Sequence, residues 1–225
     1  MELGNSVWDR EDSPNRGNLS QATYATAVSV FTTVGIITAA AIGYCTMNMI
    51  VNPIFLISAG LVAPIVGIII ALNSKNWLIS FIGYLMVCVG LGAIVGPTVA
   101  IVESAVVVKA LLATAGVTFV MSLAGTIYPK SLEHWGIYLF AGLLALIFVR
   151  LGQMLFIATG TAPALWYLPI IEYGAALLFS LYIMYDWNRA MRLPYTLDNA
   201  VDCAMAIFLD IINLFITFLR IFSKK

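Results

Sequence analysis

Seven stretches of this chain, near residues 22–46, 52–72, 77–97, 104–128, 135–158, 165–192 and 198–222, are long and apolar enough to cross a bilayer. A helix needs about 20 apolar residues for that crossing. The breaks between them carry turn chemistry. "NSKNW" (73–77) and "YPKSLEHW" (128–135) are clear turns, "MNMIVNP" (47–53) and "GPTVAIVE" (96–103) weaker ones, and "ATGTAPA" (158–164) a loop of small residues. Pro194 closes the sixth span, and Thr196 or Asp198 can cap the seventh. The expected fold is therefore all-α: a polytopic membrane protein of seven transmembrane helices. Residues 1–20 form a polar N-terminal tail and 21–225 one transmembrane domain.

Composition agrees with lipid as the main solvent. The chain is 62% hydrophobic and 10% charged, whereas a soluble domain is about 45–50% apolar and about 25% charged. Eleven basic and eleven acidic residues cancel, so no cationic surface points to nucleic acid. The tail lacks the basic start and cleavage site of a signal peptide, so the first span is expected to act as its own insertion signal. Cys45, Cys88 and Cys203 are far apart, and His134 is the single histidine. No disulfide framework or zinc spacing is visible, and no cofactor is expected. His134, beside Glu133, reads as a solvated turn residue.

Orientation follows the basic residues. An inside N-terminus puts Arg10, Arg16, Lys75, Lys130, Arg189 and Arg192 on the cytoplasmic side. Arg220, Lys224 and Lys225 then lie outside after seven crossings, an exception to the rule that a re-entrant last segment would remove. Seven crossings with a cytoplasmic N-terminus is the reading taken here, in a bacterial inner membrane or a eukaryotic endomembrane.

Against this apolar background four aspartates stand out in "YDWNRAMRLPYTLDNAVDCAMAIFLDIINLF" (185–215): Asp186, Asp198, Asp202 and Asp210. A charged group at mid-bilayer costs at least about 2.5–3.5 kcal/mol, so such residues face a cavity or a partner. Counted from a helix start near 198, Asp210 lies roughly 18 Å in, close to the midplane. Asp186 is level with it if the hairpin centres near Asp198, and misses by roughly 12 Å if it centres at Pro194. Two level carboxylates would share one proton and could bind a cation in its place. Asp198, Asp202 and Asp210 are spaced by four and eight residues, on one side of the last helix. Such a stripe would draw Ca²⁺, which prefers carboxylate oxygen. The plainer alternative is that Asp198 caps the helix while Asp202 points into interfacial water.

Lys109, Arg150 and Glu172 also sit in apolar surroundings, with Glu103 in an adjoining loop. All four fall in the outer half under the orientation above and their charges cancel. An outer ion-pair cluster is expected, able to close that end of a path; separate snorkelling of each chain is the alternative.

"YIMYDWNRAM" followed by "AIFLDIINLFITFLRIF" resembles the closing signature of the Bax inhibitor (transmembrane Bax inhibitor motif) family. "ALLATAGVTFVMSLAG" (110–125) and "GIYLFAGLLALI" (136–147) are similar to its middle helices, and the resemblance covers roughly residues 80–222. It implies a seven-helix fold in which six helices surround the last, and a pH-responsive Ca²⁺ leak with a role in calcium homeostasis, stress or cell death. It also implies that Asp186 and Asp210 form the hydrogen-bonded pair that gates the pore; the acidic stripe read from spacing puts Asp202 and Asp198 along the cation path that leads to it. The expected partners are the lipid bilayer, Ca²⁺ and H⁺. One departure stands out: relatives can supply an arginine from the second helix to lock the pair, and "VNPIFLISAGLVAPIVGIIIAL" (51–72) has no basic residue.

Two rival functions remain. Intramembrane aspartyl proteases also carry a "YD" on one helix and an aspartate on the next, and two carboxylates sharing a proton are acid–base machinery. But their second aspartate follows Gly-x-Gly, whereas Asp210 follows "IFL", and the "PAL" at Pro163–Leu165 precedes both aspartates instead of following them. The other rival is a non-conducting scaffold that binds other membrane proteins. A rhodopsin-like lysine in the last helix and a rhomboid Gly-x-Ser-Gly are both absent.

Overall fold

The computed structural model describes residues 19–49, 52–158 and 169–223. Most of the polar tail, the loop at 158–164 with its "PAL", and Lys224 and Lys225 lie outside the described residues. Among those described there are seven helices and no strand. They are α1 (Gln21–Thr46), α2 (residues 53–73), α3 (Trp77–Ala100), α4 (Ser104–Ile127), α5 (Gly136–Ala158), α6 (Pro169–Ala190) and α7 (Leu197–Ser223). Five segments qualify as spans by length and composition: α1, α3, α4, Glu133–Gln153 and α7. The other two helices fall short for local reasons. α2 is interrupted, and α6 carries Glu172, Asp186 and Arg189 within its 22 residues. The chain is an integral, multi-pass membrane protein.

Contacts group the residues into two compact units. The first comprises 1–103 with 190–209, the second 104–189 with 210–225. In the first, Ser20 caps α1 by accepting from the Thr23 amide at 3.2 Å. Thr26, Ser29, Thr32, Thr33 and Thr38 each donate to the carbonyl four residues back. Those bonds let a hydroxyl-rich helix enter lipid without orphaned donors. Gly43 on α1 and Gly92 and Gly96 on α3 lie where an added Cβ would press on the facing backbone. Close approach through small residues is how apolar helices associate when lipid is as apolar as their side chains.

The second expected span, 52–72, forms as one interrupted helix. Asn52 caps Pro53–Ile57, a wide π-helical turn follows at Ser58–Val62, and regular helix resumes over Ala63–Asn73. Pro64 explains the widening: its ring crowds the carbonyl four residues back, at Gly60, and it offers no amide to it. At the other weak break, α3 continues through Pro97 to Ala100.

α7 differs from every other helix. No residue from Leu197 to Leu219 is exposed. In the first unit Ala200, Val201, Ala204, Ile207 and Phe208 on it are fully buried. In the second unit α4 and α5 instead turn Leu112, Phe119 and Phe148 outward, each about 70% exposed. Apolar surface of that extent suits a lipid solvent. The second unit packs around Leu132, Leu139 and Tyr185, with Trp135, Leu178, Leu181, Tyr182 and Met184 against them.

Candidate functional site

Asp186 on α6 and Asp210 on α7 are brought together in the second unit, their carboxyls joined by a side-chain hydrogen bond. They are 8% and 7% exposed, low enough that bulk water does not screen them. Two carboxylates have no hydrogen to share, so a bond between them requires one proton on the pair. Oδ2 of Asp210 is buried with no donor from another side chain or amide among the described residues. The proton is thus the pair's own means of cancelling charge.

The register of this meeting corrects one expectation. α6 ends at Ala190, four residues past Asp186, and α7 begins at Leu197, thirteen residues before Asp210. The connection therefore centres close to Pro194, the case in which the two side chains were expected to miss. They meet because the two helix ends are offset along their axes by about 13 Å. The segment 191–196 can reach about 20 Å when extended, which absorbs the offset.

Other groups surround the pair. Tyr182 lies within electrostatic reach of both carboxyls, and Arg189 is the cation that acts on Asp186. Residues 182, 186 and 189 follow the spacing of one helical stripe. Arg189 Nη1 donates to the Tyr185 hydroxyl at 3.1 Å, and its guanidinium lies 5.9 Å from the centre of that ring. The second helix supplies no arginine, so the nearby positive charge comes from α6 itself. Lys75 is exposed at the α2–α3 turn and His134 is exposed in its own turn.

Asp198 and Asp202 sit in the first unit. The Ser80 hydroxyl donates to Asp198 Oδ1 at 3.0 Å. The Asn199 amide donates to Thr196 Oγ1 at 3.2 Å, so Thr196 caps α7. Asp198 is 4% and Asp202 3% exposed. The plainer alternative is therefore corrected: Asp198 is not the cap, and Asp202 does not stand in interfacial water. Nearby, Tyr24 and Cys203 share a buried hydrogen bond of 3.4 Å.

The outer cluster is smaller than expected. Arg150 grips Glu172 with both arms, Nη1 to Oε1 at 2.9 Å and Nη2 to Oε2 at 2.6 Å, while Nη1 also donates to Gln153 Oε1 at 3.1 Å. Lys109, in the same unit, is exposed and stays outside the cluster, and Glu103 is exposed too. Their long or terminal positions let both reach solvent or headgroups, while Glu172, at 6% side-chain exposure, is neutralised by Arg150.

Asn188 is a residue that the sequence reading passed over. It is 2% exposed, its two Nδ2 hydrogens are shared among the carbonyls of Gly125, Tyr128 and Lys130 (3.1, 3.2 and 3.2 Å), and its Oδ1 accepts from the Leu132 amide at 3.0 Å. The only signal for it was an amide side chain two places from Asp186 in an apolar helix.

No group of three or more His, Cys, Asp or Glu that could hold a metal occurs among the described residues. A resident Ca²⁺ takes 6–8 oxygens. Two carboxyls supply fewer.

Comparison with known proteins agrees with this arrangement. The family model described as "Inhibitor of apoptosis-promoting Bax1" matches residues 21–225. A BI1-like protein of Arabidopsis thaliana is 32% identical over 145 residues, 60% of this chain and 52% of the relative. Protein LIFEGUARD 4 of the same plant is 32% identical over 123 residues, 51% of this chain and 47% of the relative. An uncharacterised membrane protein of Streptococcus pyogenes is 32% identical over 126 residues, 53% of this chain and 52% of the relative. The matches thus span about half the length of these curated relatives. With a family model running from the first residue of α1 to the end of the chain, this protein belongs to the Bax inhibitor family.

Proposed function

We propose that this protein is a passive cation leak, with Ca²⁺ as the ion, gated by the Asp186–Asp210 pair. The observation that carries the reading is the hydrogen bond between two buried carboxyls on consecutive helices. With its proton, the pair is a closed, singly charged contact. When the proton leaves, two like charges face each other and the contact holds only if a cation takes the proton's place. Ca²⁺ and H⁺ then compete for the same oxygens, so occupancy by Ca²⁺ rises as pH rises, by up to about ten-fold in affinity per pH unit for each proton displaced. Loss of the contact lets α7 or its neighbours shift, which is the opening step. Asp198 and Asp202 belong to the cation route in this reading, and the Arg150–Glu172 pair closes the far end. The N-terminus is cytoplasmic, and the cellular role is calcium homeostasis under stress or in cell death.

The test is Ca²⁺ uptake into proteoliposomes that contain only this protein, at about pH 6 and about pH 8, on either side of neutrality. Uptake that depends on pH is the expected result. Flat traces at both values would favour the scaffold that binds other membrane proteins. Cleavage of a transmembrane peptide, lost in Asp210→Asn, would favour the aspartyl protease.

Arg189 supplies a second prediction. Its charge acts on Asp186 and so competes with an arriving cation. Arg189→Gln should tighten Ca²⁺ binding by about five-fold, the scale of a partly exposed ion pair, and Arg189→Lys should leave it near wild type. Calorimetric titration in detergent decides it; weaker binding in Arg189→Gln would contradict the competition.

A further inference from the structure

We propose that Asn188 is a positioning residue for the pair, and that the 125–132 segment is the brace it holds on to. This rests on the reading of Asp186 and Asp210 as the gate and adds what keeps one of them in place.

Two residues along a helix turn the side chain by about 200°, so Asn188 points away from the face that carries Asp186. There it engages four backbone groups at once. Three of the oxygens it meets, those of Gly125, Tyr128 and Lys130, belong to the last turn of α4 and the residues just after it. Carbonyls at a helix end have no partner within the helix and must find one elsewhere. The fourth group is the Leu132 amide, which donates to Oδ1. One amide side chain therefore caps α4, fixes the turn and ties both to α6.

A second contact acts at the same level. Tyr185 packs with buried Leu132 and Leu139, so the residues one before and two after Asp186 both grip the segment beyond α4. A third lies at Gly125, where an added Cβ would meet the carbonyl of Met184, the Trp187 side chain and the Asn188 amide nitrogen. The back of the last turns of α6 is thus held over its whole width.

The consequence for the front is geometric. A side-chain tip lies roughly 5–6 Å from the helix axis, so a rotation of about 20° moves it by about 2 Å. A displacement of that size is enough to pull a pair of carboxyls out of hydrogen-bond distance. The other groups around Asp186 in this unit, Asp210, Tyr182 and Arg189, do not replace the brace. They share the front face or lie along its edge.

The test uses the full chain in detergent or liposomes, with two readouts. One is the infrared band of the carboxyl proton shared by the pair, assigned by its loss in Asp210→Asn. The other is Ca²⁺ affinity. Asn188→Asp keeps the size and the acceptor for Leu132 but turns an oxygen toward three oxygens; Asn188→Ala removes all four bonds. Gly125→Ala loosens the same contact from the other side. Gly142→Ala, whose Cβ would meet only the flexible end of Leu178, is the control. The expected result is a shifted or lost band and Ca²⁺ affinity lowered about ten-fold in the Asn188 and Gly125 variants, the scale for groups that orient a ligand. Gly142→Ala stays at wild type. If an Asn188 variant fails to fold, Gly125→Ala decides. A wild-type band and affinity in any folded Asn188 or Gly125 variant, with only a lower melting temperature, would overturn the proposal. Should wild type bind no Ca²⁺ while the band still responds to Asn188 and Gly125, the leak reading falls and the positioning role stands.

Discussion

Asp210→Asn abolishes saturable Ca²⁺ binding and pH-dependent uptake: that is the largest functional effect expected of any single substitution here. The change is nearly isosteric, so the packing of α7 around it, where no neighbour from Leu197 to Leu219 is exposed, is kept. What changes is the chemistry of the contact. An asparagine amide can donate permanently to Asp186, so the pair stays closed with no proton to lose. The pair also carries one charge fewer, and Ca²⁺ binding to oxygen ligands weakens steeply as carboxylates are removed. The affinity should drop by at least about ten-fold, with uptake at the level of empty liposomes. Asp186→Asn should also remove pH dependence, but Arg189 then faces a neutral partner, so its residual leak need not equal that of Asp210→Asn. Wild-type uptake and pH response in both variants would remove the basis for a gate at this pair.

The largest effect on stability is expected at the other end of α6. Glu172→Gln should destabilise the protein by about 1.5–3 kcal/mol, because it removes the charge partner of Arg150, whose side chain is 26% exposed. Glu172 has only 6% of its side chain exposed and accepts both arms of Arg150, so most of its neutralisation comes from that one residue. The melting temperature in detergent should fall by on the order of 10 °C. The sharper form of the prediction is the double variant Arg150→Met with Glu172→Gln, which removes the charge along with its partner. Removing both charges leaves neither one without its partner, so this variant should recover much of the loss. A double variant no more stable than Glu172→Gln alone would mean that the pair acts through something other than charge, such as the Arg150–Gln153 contact.

These two sites show how differently the chain discloses its architecture. The seven helices were legible, with ends within a few residues of those observed, because the requirement to bridge a hydrocarbon layer acts on each segment alone. The pairing of Asp186 with Asp210 came from resemblance and from the cost of charge in lipid, which allows few arrangements. The Arg150–Glu172 half of the outer cluster was anticipated for the same reason. Lys109 and Glu103 were not separable from it by sequence, since long chains in apolar segments either pair or reach out to water, and only neighbours decide which.

The helix offset and the Asn188 brace had no comparable signal, and for the cap of α7 the sequence offered Thr196 and Asp198 alike. Each depends on where backbone groups of distant residues fall, and a carbonyl of Gly125 or Lys130 looks like any other in a sequence. By itself, the order of residues determined that this chain lives in a bilayer, where its helices run, and which few acids must find partners there. Tertiary structure alone decided which partner each acid found and how far α7 slides past α6 to bring Asp210 level with Asp186. The physical reason is range: hydrophobic length acts locally along the chain, whereas a buried charge is satisfied only by groups that folding carries to it.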